Sequence, residues 1–200
     1  MSSPSLIDAR PLQSSPAEAR ALLARAEQLL APDAVEQAVA RVAGEITTAL
    51  GEAQPLLLAV MRGGVVFAGQ LLPLLRFPLD FDYVDVTRYG DATHGGELDW
   101  RVDVPAAVRD RTVLVVDDIL DEGHTLAAIR RRLLDAGARR VLIAVFADKQ
   151  LPRPKPVAAD FAGVQVPDRY VFGFGMDVRG LWRNLPAVYA LNRDDQSPRG

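Results

Sequence analysis

One stretch, TVLVVDDILDEGHTLAAIRRRLLDAGARRVLIAVFADK, constrains this chain more than any other. Its two ends are near-continuous apolar runs, and the piece between them has apolar residues at helical spacing, with Gly137 near its end. Two strands that are apolar on both sides, joined by a helix, call for a parallel sheet covered on both faces and a right-handed crossover. Upstream, LLLAV, VVFAGQLLPLL and FDYVDVTRY continue the alternation of short apolar runs and amphipathic stretches. The predicted class is α/β: a doubly wound, mostly parallel sheet flanked by helices. Ligands of such sheets bind outside the carboxyl ends of the strands, so the residues that follow each apolar run are the candidates for function.

Between Pro16 and Leu50 the apolar spacing predicts two helices, broken at Ala31-Pro32-Asp33, with Asp33 capping the second. After Lys149 the chain reads LPRPKP, a turn-rich connection, and then short strand-like pieces around FAGVQV and AVYAL. The last quarter and the front helices are expected to form a small hood subdomain over the sheet edge. Residues 1–15 read as a flexible arm, 16–191 as one domain and 192–200 as a flexible tail. RYGDATHGGELDW, from Arg88 to Trp100, reads as a mobile loop.

Composition excludes several chemistries. With no cysteine there is neither a disulfide nor a thiolate metal site, and His94 and His124 alone are too few for a histidine-rich zinc site. A net charge of −3 gives no basic face for nucleic acid. The opening MSSPSLIDARPLQSSP lacks a basic segment followed by an apolar core, and no run is long enough to cross a bilayer, so a cytoplasmic protein without a membrane partner is expected.

The strand that ends in Asp117 and Asp118 is followed by Asp121, Glu122, Gly123, His124 and Thr125 at a helix start. A Gly-containing turn into a helix N-terminus offers free N–H groups and partial positive charge, which hold a phosphate. Two carboxylates at the strand tip accept bonds from sugar hydroxyls or hold a divalent cation. A bare Asp-Asp pair, by contrast, often just solvates a turn and caps a helix. The whole string resembles the phosphoribosyl diphosphate signature of type I phosphoribosyltransferases. It departs from it at Glu122, where that family usually has Thr or Ser; a carboxylate there would repel the phosphate unless it points away, while the backbone N–H still serves.

Arg62-Gly63-Gly64 lies between a short strand and a helix, where paired glycines let backbone approach an anion and an arginine can bridge phosphate oxygens. This segment is similar to the diphosphate loop of the hypoxanthine-guanine phosphoribosyltransferase family, which implies contacts from Arg62 and Gly63 and a non-proline cis peptide at Met61 to Arg62 or close by. The loop from Val86 resembles the family's flexible loop, with Arg88 and Tyr89 at the places of its Ser-Tyr pair. The resemblance extends to Lys149, placed like the lysine that bonds a purine 6-oxo group, and to VPDRYVFGFGMDVRGLWRNLP, similar to the purine-binding segment. There it implies base stacking by Tyr170, backbone contacts from Val171, Asp177 near the base or a metal, and Arg183 at the diphosphate. Taken singly, Tyr170 and Trp182 read as core aromatics.

The resemblance thus implies a type I phosphoribosyltransferase fold and transfer of ribose 5-phosphate from phosphoribosyl diphosphate to hypoxanthine or guanine. It also implies Mg2+ held by Asp117, Asp118 and Asp177, Asp121 as the catalytic acid-base group, and a homodimer or homotetramer. Three other readings are a fold-sharing regulator that binds without catalysis, a phosphoribosyltransferase for orotate, uracil or adenine, and a generic nucleotide-binding domain.

Overall fold

A computed structural model describes residues 15–88 and 98–192. Most of the expected arm and tail, together with Tyr89 and His94, lie outside the described residues.

Helix α1, Pro16–Arg25, starts at a reciprocal cap: the Glu18 N–H donates to Ser15 Oγ at 3.3 Å and the Ser15 N–H to Glu18 Oε2 at 2.7 Å. Helix α2, Pro32–Leu50, has Pro32 in its first turn and Ala31 before it, so Asp33 is a first-turn residue and no side chain caps the helix. That corrects the expected cap. Between the helices lies a strand absent from the sequence reading, β1 (Glu27–Leu30), which pairs antiparallel with β9 (Val188–Ala190) far along the chain. Four residues are too few to show a period of their own.

The main sheet has six strands: β2 (Leu56–Met61), β3 (Asp80–Arg88), β4 (Leu98–Val102), β5 (Thr112–Leu120), β6 (Arg140–Lys149) and β7 (Phe161–Val166). Their order is β4-β3-β2-β5-β6-β7, with every pairing parallel except β3 with β4. Alternate residues of the central strands fill two cores. On one face Leu57, Ala59, Leu114, Val116 and Phe146 meet α2 and α3 (Gly64–Leu71) through Val42, Ile46 and Phe67. On the other, Leu58, Val60, Val115, Ile143 and Val145 meet α4 (His124–Asp135) through Leu126, Ile129 and Leu133. Burial on both sides is why these strands are apolar throughout. The expected doubly wound class is the one observed, and among the described residues no helix is long and apolar enough to cross a membrane.

A second sheet, β1-β9-β8, with β8 at Val171–Phe172, carries α1. Leu22, Phe172, Val178 and Leu191 make a separate small core here, with Trp182 packed against it and its indole N–H donating to the Ala19 carbonyl at 3.1 Å. Arg169 joins the same layer to β1 by pairing with Glu27 at 2.5 Å.

Phe146 is fully buried between Phe67 and Phe174, with ring centroids 5.8 and 4.3 Å away. Phe146→Ala is expected to cost about 3–5 kcal/mol, measured as a lowered denaturant midpoint in equilibrium unfolding.

Candidate active site

The carboxyl ends of β2, β5 and β6 open into a cleft of about 580 Å³. Its floor is the tip of β5. Asp117 and Asp118 are each only 8% exposed, and the Asp118 N–H donates to Asp117 Oδ1 at 2.9 Å. Burial raises the affinity of both carboxyls for a proton, and the neighbouring Asp118 charge pushes Asp117 well above the ordinary range. For Asp118, the hydrogen bond with Asp117 and the nearby Arg183 guanidinium offset part of the effect of burial.

Close backbone packing sets this floor. A Cβ on Gly63 would lie 2.0 Å from Asp118 Oδ2, and one on Gly175, whose φ is +98°, would lie 2.4 Å from the Gly63 carbonyl oxygen. The loops after β2 and β8 therefore meet the acidic strand tip without intervening side chains. The Met61–Arg62 peptide beside them is cis, at the position expected. Arg62 is exposed on the cleft wall and makes no ion pair among the described residues.

Beyond the acidic pair the chain turns through Asp121, Glu122 and Gly123 into α4, with Gly123 at φ 83° as the residue before the helix. His124 and Thr125 form the first turn and also line the cleft, so the unpartnered N–H groups of a three-turn helix face it. Glu122 is turned toward Arg153, with which it forms an ion pair. Lys149, the last residue of β6, is 11% exposed and its Nζ lies 2.8 Å from Asp121 Oδ2.

The opposite wall carries Tyr170, Val171 and Asp177. Tyr170 is 44% exposed and lines the cleft rather than the core, unlike Trp182, which packs in the small layer. Arg183, expected at a diphosphate, has its guanidinium on Asp177 at 2.5 Å, on the Gly175 carbonyl at 2.6 Å and 3.7 Å from Asp118. Asp177 also accepts the Gly180 N–H at 2.7 Å. Arg88 ends β3, and its side chain and Tyr89 lie outside the described residues.

The sequence reading missed four contributors. Asp85 and Thr87 from β3 and Arg101 from β4 reach the cleft. The signal for Arg101 was present in the alternation of Leu98, Trp100 and Val102, whose partial burial leaves the intervening residues exposed. Lys155 donates to the Leu120 carbonyl at 2.7 Å and to Asp148 at 2.5 Å, tying together the residues that precede Asp121 and Lys149. Nothing in its local sequence pointed to that role.

Among the described residues no three acidic or histidine side chains are grouped to hold a metal. The buried Asp117 and Asp118 nonetheless supply two hard oxygen donors at a charge-starved place, which suits a magnesium ion whose other ligands come from water and substrate.

A family model described as a phosphoribosyl transferase domain matches residues 25–179. The hypoxanthine-guanine phosphoribosyltransferase of Bacillus subtilis is 30% identical over 164 residues, 82% of this chain and 91% of that protein. That of Lactococcus lactis is 37% identical over 150 residues, 74% of this chain and 81% of the relative. A crystal structure of a hypoxanthine phosphoribosyltransferase from Staphylococcus aureus superposes with a TM-score of 0.80 at 26% identity, covering 86% of this chain and 94% of the other.

Because the Asp117 carboxyl binds a proton more tightly in the folded chain than in the unfolded one, its contribution favours the fold at acid pH. That contribution is lost as pH rises above the ordinary carboxylate range. Asp117→Asn keeps the acceptor for the Asp118 N–H and removes the charge, so Tm is expected to rise by a few degrees, at about 2–4 °C per kcal/mol for a chain of this size. The gain over the wild type should widen from pH 4 to pH 8 in thermal melts.

Proposed function

The chain belongs to the hypoxanthine-guanine phosphoribosyltransferase family, and from that membership we propose how its cleft divides the work of the reaction. The protein is a purine salvage enzyme: it transfers the 5-phosphoribosyl group of phosphoribosyl diphosphate to hypoxanthine or guanine, giving IMP or GMP and diphosphate. The observation that carries the assignment of roles is the convergence of two strand ends and a helix start. The acidic tip of β5, the mouth of α4 and Lys149 of β6 all line one cleft, with Lys149 Nζ 2.8 Å from Asp121.

The N–H groups at Gly123, His124 and Thr125, with the Thr125 hydroxyl, receive the 5′-phosphate. Asp117 and Asp118 accept the ribose hydroxyls. Arg62 and the backbone at Gly63 meet the leaving diphosphate, joined by Arg88 at the end of β3 and by Tyr89, the residue after it in sequence. Magnesium, when bound through Asp117, Asp118 and Asp177, supplies positive charge to the departing diphosphate. Asp177 is already committed to Arg183, so its share in holding the ion involves a change of partner.

At the base end Tyr170 stacks on the purine and Val171 offers backbone groups to its edge. The Lys149 ammonium donates to the 6-oxo oxygen, a contact that adenine cannot reciprocate. Asp121 holds that ammonium at 2.8 Å. A base that binds Lys149 loosens this tie and leaves the Asp121 carboxylate beside the ring, where it takes or shares the N7 proton as the C1–O bond breaks and the C1–N bond forms. The developing sugar cation is stabilised by the same carboxylate.

We further infer a cytoplasmic homo-oligomer, a dimer or tetramer; Phe81 and Tyr83, 49% and 40% exposed on β3, support an apolar contact surface. A fold-sharing regulator is disfavoured because relatives 30% and 37% identical are named for the enzyme activity.

Mixing the protein with magnesium, phosphoribosyl diphosphate and each purine base in turn tests the assignment. Nucleotide should form with hypoxanthine or guanine and not with adenine, and no product with any oxopurine would favour the regulator. Asp121→Asn should lower kcat by about two to four orders of magnitude while phosphoribosyl diphosphate still binds, as expected for loss of an acid-base group; near-normal turnover would remove Asp121 from the mechanism.

A further inference from the structure

The residue at 122 poses a problem that the roles above leave unsolved. Glu122 precedes the glycine at the start of α4 and lines the cleft. A carboxylate at that point is an anion next to the positive end of a helix, so it competes for the N–H groups that receive a substrate phosphate and repels the phosphate directly.

The structure shows what restrains it. Arg153 lies in the connection between β6 and β7, 31 residues downstream, and its guanidinium pairs with Glu122. Among the described residues, Glu122 lines the cleft and Arg153 does not, so the pull is toward the outer side of the turn. Pro152 and Pro154 flank Arg153 and restrict its backbone. Lys155 anchors the same connection to the Leu120 carbonyl and to Asp148. The guanidinium is thus delivered from a pinned segment. The pair is well exposed, 65% on the Arg153 side and 41% on the Glu122 side, and an ion pair this solvated adds little to the stability of the fold.

We propose that Arg153 is a positioning residue for the 5′-phosphate site, holding the Glu122 carboxylate aside so that the mouth of α4 can receive an anion. This rests on the reading of that mouth as the phosphate site. Arg153 acts through Glu122 and touches no substrate. Its removal should therefore weaken binding of the 5′-phosphate end only while residue 122 carries a charge.

The test measures binding of ribose 5-phosphate and of inorganic diphosphate, and KM and kcat for phosphoribosyl diphosphate, in wild type, R153A, R153K, E122Q and the E122Q/R153A double variant. R153A should bind ribose 5-phosphate about tenfold more weakly, the scale of one like charge released near an anion at a partly exposed site. Its KM should rise in step, kcat and diphosphate binding should stay within about twofold, and 0.5 M salt should shrink the defect through screening. R153K should restore most of the affinity. In the E122Q background, loss of Arg153 should change ribose 5-phosphate binding by less than about twofold, because no charge remains to restrain.

The proposal is overturned if R153A binds ribose 5-phosphate like the wild type, if the defect persists undiminished in E122Q, or if diphosphate binding falls equally. Failure of the enzymatic reading looks different: the wild type would form no nucleotide, while the dependence of ribose 5-phosphate binding on residues 122 and 153 would remain. A wild type that binds no ribose 5-phosphate overturns the proposal as well.

Discussion

Strand β5 carries two carboxylates into a place where charge is poorly tolerated. Asp117 and Asp118 continue a run of residues buried on both faces of the sheet, and the chain accepts their desolvation at the one end of the strand where a ligand can offset it. The rest of the site is arranged around that pair. Gly63 and Gly175 are side-chain-free where they abut Asp118 and each other, and the Arg183 guanidinium supplies the nearest compensating charge. An acidic tip with no ligand and no such neighbours would be a defect of the core. Set beside the open end of α4, it has the chemistry that the proposed reading assigns to it, acceptors for hydroxyls next to donors for a phosphate.

The folding of this centre from distant pieces explains what the sequence disclosed and what it hid. The sheet was legible because burial on both faces forces unbroken apolar runs at β2, β5 and β6, and the turn after β5 was legible because a strand, two acidic residues and a glycine before a helix start form a local string. Arg62-Gly63 was legible as a glycine turn after a strand, whereas Lys149 and the segment from Tyr170 were picked out by their resemblance to the family, and Tyr170 taken singly read as a core aromatic although it lines the cleft. The hidden parts depend on contacts remote in sequence. β1 exists because β9 pairs with it, and four residues carry no periodic signature. Arg153 and Lys155 sit in what reads as an ordinary Pro-rich turn, and their meaning comes only from Glu122, Leu120 and Asp148 across the cleft rim. Asp33 was misread because Pro32 already fills the first helical position that a capped start would leave to another residue.

Charge in and beside the cleft is held in pairs. Lys149 rests on Asp121, Arg183 on Asp177 and Arg153 on Glu122. Lys149–Asp121 and Arg153–Glu122 join residues from different segments of the chain, Asp177 and Arg183 both lie in the connection between β8 and β9, and each pair restrains its groups from wandering into one another's places. Arg62 stands apart, exposed and without an ion pair among the described residues, on the wall where the leaving group is expected.

The small layer of α1, β1, β8 and β9 adds a different property. The wall of Tyr170, Val171 and Asp177 is tied to it through Trp182 on Ala19 and Arg169 on Glu27, yet Val171, Phe174 and Met176 of the same segment are buried in the core of the main sheet. Gly175 of that segment abuts Gly63 and Asp118. The two sides of the cleft therefore share one foundation, and a shift of one wall is passed to the acidic floor through backbone contacts that have no side chain to yield.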